Sequence, residues 1–232
     1  MSRLKSNPRL ILALDVDTLE EARSFVNRLY PEINIFKVGS RLFTSYGPRV
    51  VEMIRKKGAQ VFLDLKYFDI PNTVAGAVEA AVRLEVGMLT LHVSGGSLML
   101  KAAVEAAARQ ARILKVARPL LLGVTVLTSQ EAGTGEVFSL ARQGLRDGLD
   151  GIVCSAREAG CLRKKIRKDF VIVTPGIRPG VSAADDQKRT ATAAQAVKAG
   201  SDFLVIGRPI LKAGDPLSRA REILGELNGA GN

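Results

Sequence analysis

Val61-Phe62-Leu63-Asp64-Leu65-Lys66-Tyr67-Phe68-Asp69-Ile70-Pro71-Asn72-Thr73, followed by an amphipathic run from Thr73 to Leu84 and then Gly87, contains the repeating unit of this chain. Val61–Leu65 is short and carries apolar residues on both faces, as a parallel strand buried between two layers does. Thr73–Leu84 repeats its apolar residues at helical spacing, and a glycine beyond such a run suits a left-handed C-terminal cap. One strand followed by one helix is therefore the reading of residues 61–87.

The same unit recurs along the whole sequence. Further strands are predicted at Leu10–Leu14, Ile35–Val38, Met88–His92, Leu120–Val126, Gly151–Cys154, Phe170–Thr174 and Phe203–Ile206, which makes eight. Helical patterns cover Arg49–Lys57, Leu98–Val116, Val137–Arg146, Arg157–Ile166, Ala191–Ala199 and Pro216–Leu227. A helix also starts after Thr18, where Glu21 completes a capping box ahead of Ala22, Phe25, Val26 and Leu29. Gly58, Gly148 and Gly200 take the place that Gly87 takes in the first unit. Eight strand–helix units predict an α/β fold, a (β/α)₈ TIM barrel, as a single domain over residues 1–232. The open doubly wound sheet is second choice, because Asp15-Val16-Asp17 stands where that fold has a glycine-rich turn.

Composition narrows the class. Of the 232 residues 47% are hydrophobic, enough for a large core. No apolar run approaches the ~20 residues of a membrane span. The basic start Met1–Arg9 leads only into the short run Leu10–Leu14, so neither a signal peptide nor a membrane partner is expected, and the location is read as cytoplasmic. Cys154 and Cys161 lack metal-ligand spacing and form no disulfide framework. The net charge of +11 suggests either nucleic-acid binding or a basic enzyme surface that attracts anions. Its cations fall in short clusters such as Arg55-Lys56-Lys57 and Arg163-Lys164-Lys165 on helical segments. With no Trp and 3 Tyr there is no aromatic stripe for stacking bases, so no nucleic-acid partner is expected.

In such a barrel the chemistry lies at the C-terminal strand ends. Asp15, Lys37, Asp64 with Lys66, His92, Thr128, Ser155, Arg178 and Arg208 follow one strand after another there. Residues two apart on a strand share a face, so Asp64 and Lys66 are expected to point together into the barrel. Alone, they could be a buried ion pair of little net worth. Asp15 and Lys37 at the same mouth favour a functional reading. Beyond the last two strands, Gly176, Arg178, Gly207 and Arg208 occupy the usual phosphate-binding position of barrels. His92, the only histidine, reads as a packed residue before a general base. Ser155 either touches substrate or caps the next helix.

Seven segments then carry a resemblance. Leu12–Asp15, Phe36–Gly39, Asp64–Thr73, Val124–Ser129, Thr174–Arg178, Asp185–Arg189 and Val205–Ile210 look like bacterial orotidine 5′-phosphate decarboxylases, from about Arg9 to Pro216. The resemblance implies a dimeric barrel that converts orotidine 5′-monophosphate to uridine 5′-monophosphate and CO₂ in pyrimidine synthesis, without cofactor or metal. It implies that Lys66 protonates C6, that Asp64 lies by the reacting carboxylate, and that Asp69 reaches the site of the neighbouring subunit. Asp15 and Lys37 would hold the ribose end, with Lys37 also in the catalytic charge array. Ile70 and Thr73 would join the substrate contacts, Thr128 would touch the pyrimidine, and Arg178, Gln187, Gly207 and Arg208 would bind phosphate. A related decarboxylase of 3-keto-L-gulonate 6-phosphate resembles the Asp64–Asp69 stretch but holds Mg²⁺ near the second strand, where this chain has Lys37.

Overall fold

A computed structural model describes residues 9–126, 133–178 and 191–230. Eight parallel strands close into one barrel in sequence order. They are β1 (Arg9–Ala13), β2 (Ile35–Gly39), β3 (Gln60–Tyr67), β4 (Met88–His92), β5 (Leu120–Val124), β6 (Gly151–Val153), β7 (Val171–Thr174) and β8 (Phe203–Ile206). Closure is made where β1 pairs with β8, Ile11 opposite Val205. The helices are α1 (Leu19–Leu29), α2 (Ser40–Tyr46), α3 (Pro48–Lys56), α4 (Pro71–Arg83), α5 (Gly96–Leu114), α6 (Thr134–Arg146), α7 (Ala156–Lys165), α8 (Ala193–Lys198), α9 (Arg208–Leu211) and α10 (Pro216–Ala230). Among the described residues none is long and apolar enough to cross a membrane.

The double burial of the strands has its cause in alternation. Ile11, Ala13, Ile35, Phe62, Met88, Leu122, Val171, Val173, Phe203 and Val205 fill the barrel interior. Their neighbours Leu10, Leu12, Phe36, Val61, Leu63 and Leu204 pack outward against the helices. A strand with period two and apolar residues on both faces has no other stable place than between these layers. Cys154 is buried among Ile152, Ala159 and Leu162, and burial pushes its thiol far above the ordinary range, so it behaves as a core apolar group.

The helix starts agree with the sequence. Thr18 caps α1 and Glu21 returns the bond to the Thr18 backbone. Ser155 resolves in favour of a cap, since its hydroxyl accepts from the Glu158 N–H while the Glu158 carboxylate accepts from the Ser155 N–H. Two details differ. The region between β2 and β3 holds two helices, not one, because Gly47, at φ 54, ends α2 and Pro48 starts α3. Gly87 is not a left-handed cap: Glu85 takes that conformation at φ 51, and the Gly87 N–H already donates to Val61 at the start of the sheet. Gly58, Gly148 and Gly200 do have positive φ.

Opposite the strand C-termini, one device appears twice. Asp150, just ahead of β6, accepts from the Leu121 N–H (2.8 Å) and from Arg118 (2.5 Å). Asp202, just ahead of β8, accepts from the Ile172 N–H (2.7 Å) and from Arg163 (2.5 Å). Arg163 also donates to the Gly200 and Phe170 carbonyls and lies over the Phe170 ring. Each carboxylate thereby pins a strand to its predecessor, and charge-assisted bonds of this kind are among the stronger ones. Several of the clustered cations noted in the sequence are spent on such structural contacts, as is Arg55 on Glu85.

Gly151 shows how tight the interior is. A Cβ there would press on the Val171 carbonyl, with Val171 Cβ at 2.7 Å and Leu122 Cδ2 at 3.0 Å. Gly151→Ala is expected to destabilise the fold by about 1–3 kcal/mol through overpacking, measured as a lower midpoint in urea unfolding.

Candidate active site

Three neighbouring strands, β1, β2 and β3, bring together in or just past them a row of four alternating charges. Lys37 Nζ lies 3.4 Å from Asp15 Oδ1 and 3.5 Å from Asp64 Oδ2, and Lys66 Nζ lies 2.9 Å from Asp64 Oδ1. The two middle side chains are largely buried, Lys37 at 13% and Asp64 at 14% exposure, whereas Lys66 at 36% and Asp15 at 53% open to the mouth. Burial raises the pKa of Asp64, but the charges of Lys37 and Lys66 and the hydrogen bonds from Lys66 and Thr90 outweigh it, holding the carboxyl below its ordinary value. A buried pair in isolation offsets little more than its own desolvation. Here the row ends in an ammonium that faces a cavity.

Lys66 reaches that position by a route that alternation alone does not provide. Leu63 pairs with Leu89 and Tyr67 with Leu91, so Asp64, Leu65 and Lys66 together stand opposite the single residue Thr90. Lys66 has φ 52, a left-handed backbone in a residue with a side chain. Such conformations and strand irregularities gather at sites where a side chain must be re-aimed. The expected meeting of Asp64 and Lys66 is observed, but through a bulge and not through a regular pleat.

Two recesses share this row. A central one of about 130 Å³ is lined by Lys37, Phe62, Asp64, Lys66, Val124, Val126, Val153, Pro175 and Val205. A polar one of about 170 Å³ is lined by Asp15, Lys37, Gly39, Ser40, Arg41, Asp64 and Lys66 among others. The first has an apolar wall suited to a flat ring, and the second has the polar groups that a sugar needs.

Gly207 lies against the end of β1. A Cβ there would stand 3.3 Å from both Ala13 Cβ and Asp15 Oδ2, so the close approach expected of this glycine is observed. Arg208 opens α9, and no side chain caps that helix. Gly176 has φ 75, and the backbone N–H of the half-buried Arg178 donates to Ala191. Thr128 and Gln187 lie outside the described residues. Asp69, Ile70 and Thr73 are exposed, and Asp69 Oδ1 accepts from the Ile70 N–H at 2.6 Å. Asp69 forms no ion pair with Lys66 or any other described residue, so within one chain only Asp64 and Lys66 of that stretch come together. Among the described residues no three His, Cys, Asp or Glu side chains are grouped to hold a metal ion.

The sequence profile of the orotidine 5′-phosphate decarboxylase / HUMPS family matches residues 8–223. The chain belongs to this family. It is 46% identical over 230 residues to the orotidine 5′-phosphate decarboxylase of Coxiella burnetii, covering 94% of this chain and 96% of that one. It is 47% identical over 241 residues to the orotidine 5′-phosphate decarboxylase of Syntrophus aciditrophicus, covering 98% and 96%. The crystal structure of orotidine 5′-phosphate decarboxylase from Lactobacillus acidophilus superposes with a TM-score of 0.84 at 35% identity, over 96% of this chain and 100% of that one. Thr90, and the apolar lining residues Phe62, Val124, Val126, Val153 and Val205, are not singled out by the sequence. For Thr90 the only signal was a hydroxyl inside the apolar strand Met88–His92.

His92 ends β4 beside the same row. Its ring meets that of Phe68 edge-on, with centroids 5.7 Å apart and planes at 61°. Burial lowers its pKa below the ordinary 6.5, the Lys66 charge lowers it further, and Asp64 opposes both. The folded state therefore favours the neutral ring. The stability this gives is complete above the unfolded-state value near 6.5 and is lost as pH falls from there through the lower folded-state value. Urea midpoints of the wild-type chain should drop from pH 7 towards pH 5, and His92→Asn should flatten that part of the profile.

Proposed function

We propose that this chain decarboxylates orotidine 5′-monophosphate to uridine 5′-monophosphate and CO₂, the reaction for which its relatives are named. The observation that carries this reading is the Lys66 ammonium, held 2.9 Å from Asp64 at the mouth of a cavity with one apolar and one polar recess. Loss of CO₂ leaves an electron pair at C6 of the pyrimidine that the ring delocalises poorly. A fixed ammonium stabilises that charge as it develops and then supplies the proton to C6. Asp64 holds the ammonium in place from one side and stands beside the departing carboxylate. Phe62, Val124, Val126, Val153 and Val205 receive the ring, Asp15 and Lys37 hold the ribose hydroxyls, and Thr128 contacts the base. Gln187, Arg178, Gly207 and Arg208 take the phosphate, whose binding energy helps to hold C6 against Lys66.

The reading needs no metal. Lys37 lies within β2 and within 3.5 Å of both neighbouring carboxylates, so a cation already occupies the electrostatic position that Mg²⁺ would take in a sugar-phosphate decarboxylase.

The active unit is a homodimer with shared sites. Phe68, Ile70 and Leu98 are 62%, 66% and 78% exposed. These large apolar side chains flank Asp69 or sit on the adjoining first turn of α5, and such a surface favours burial against another chain. A second copy covering it would carry its Asp69 towards the Lys66 of the first, together with Ile70 and Thr73.

Adding orotidine 5′-monophosphate and following its ultraviolet absorbance tests the reaction directly, and EDTA should leave the rate unchanged. A rate that depends on added Mg²⁺ would point to the sugar-phosphate chemistry instead. Lys66→Ala should lower kcat by roughly 10³-fold or more, with unfolding midpoints preserved. Mixed Asp64→Asn and Asp69→Asn chains should regain about a quarter of wild-type activity, because half the dimers are hybrids with one intact site. Absence of any recovery would sink the shared site.

A further inference from the structure

The bulge that aims Lys66 is held by one buried hydroxyl. Thr90 lies in β4 at 1% exposure, opposite the three residues Asp64, Leu65 and Lys66. Its Oγ1 accepts the backbone N–H of Lys66 at 2.9 Å and donates to Asp64 Oδ1 at 3.0 Å. The same Asp64 oxygen accepts from Lys66 Nζ at 2.9 Å. In a regular parallel pair the Lys66 N–H would bond a carbonyl of the next strand. The two surplus residues of β3 break that register, and a side chain of β4 supplies the missing acceptor.

Both bonds go to members of the charge row, one to the backbone of Lys66 at its end and one to the side chain of Asp64 beside it. The left-handed backbone of Lys66 is a costly conformation for a residue with a Cβ and persists only where its surroundings impose it. A buried N–H without a partner would relax towards the extended form, and with it the ammonium would leave the cavity mouth.

We propose that Thr90 is a positioning residue for the decarboxylation, its hydroxyl fixing the strained Lys66 backbone and the Asp64 carboxylate in one rigid unit so that the ammonium meets C6. The proposal rests on the reading of Lys66 as proton donor. It predicts an effect on the chemical step, because the phosphate contacts, and the ring contacts other than Phe62, lie on other strands. A displacement of about 1 Å at a reacting group costs on the order of 10²-fold in rate.

Thr90→Val keeps the shape and removes both bonds, and Thr90→Ser restores the hydroxyl. Thr90→Val should lower kcat by about 10- to 100-fold with KM changed less than about 3-fold, and Thr90→Ser should recover most of the loss. A ¹³C NMR titration of the Asp64 carboxyl supplies a readout independent of turnover. The groups that face Asp64 are Lys37 from β2, Lys66 on its own strand and His92 from β4, with Asp15 of the β1 end beyond Lys37. All four are kept in both variants, so an upward shift in Thr90→Val that Thr90→Ser reverses reports the hydroxyl alone. If Thr90→Val does not fold, Thr90→Ala removes the hydroxyl without adding bulk and is measured in its place.

A kcat within 2-fold of wild type in the hydroxyl-free variant, a loss confined to KM, or a serine variant as slow as valine would overturn the proposal. An unchanged Asp64 titration would overturn it too. If the wild-type chain fails to turn over orotidine 5′-monophosphate, the functional reading falls by itself, while the titration still decides whether Thr90 holds Asp64.

Discussion

Lys37 is a largely buried cation, and the site is arranged around it. An ammonium so far withdrawn from water is tolerated only with carboxylates on hand, and Asp15 and Asp64 stand on either side of it at 3.4 and 3.5 Å. Those partners come from the strands on its two sides, which makes barrel closure and strand order conditions for the chemistry. Asp64 is then shared. One of its oxygens serves Lys37, and the other takes bonds from Lys66 and Thr90. The charge of the outermost member, Lys66, is thus placed by a chain of contacts that starts in the barrel wall.

The two rims of the barrel use charge for different ends. At the N-terminal rim, Asp150 and Asp202 each bond an arginine and the backbone of the preceding strand, so every partner is structural. At the C-terminal rim the row borders two recesses and the backbone is strained at Lys66. The regular rim provides the rigidity that lets the irregular one persist, a division common in barrels whose loops carry the function.

The Asp64–Thr73 stretch also links the site to the surface. Within ten residues the chain passes from a largely buried carboxylate, through the bulge and the exposed Phe68, Asp69 and Ile70, into α4. Phe68 touches His92 at the end of β4 and lies over Gly95, where a Cβ would come within 3.2 Å of its ring. β4 therefore holds this segment twice, by a hydroxyl at Lys66 and by a ring at Phe68. One strand serves as the template for the part of its neighbour that departs from sheet geometry.

Much of this was legible in the chain itself. Eight short apolar runs alternating with amphipathic ones determined the barrel, because strands apolar on both faces must lie between an inner and an outer layer. The polar and charged residues from Asp15 to Arg208 marked the C-terminal rim as the candidate site, because barrels carry their chemistry at that end of the strands. Three things could not be read along the chain. The split of the β2–β3 connection into α2 and α3 turned on the conformation of Gly47, the left-handed residue ahead of β4 proved to be Glu85 and not Gly87, and the bulge opposite Thr90 depended on register with another strand. Local pattern determines which residues form strands and which faces they bury. How many residues of one strand stand opposite one of the next is decided only when the two meet, and the direction of Lys66 depends on that count.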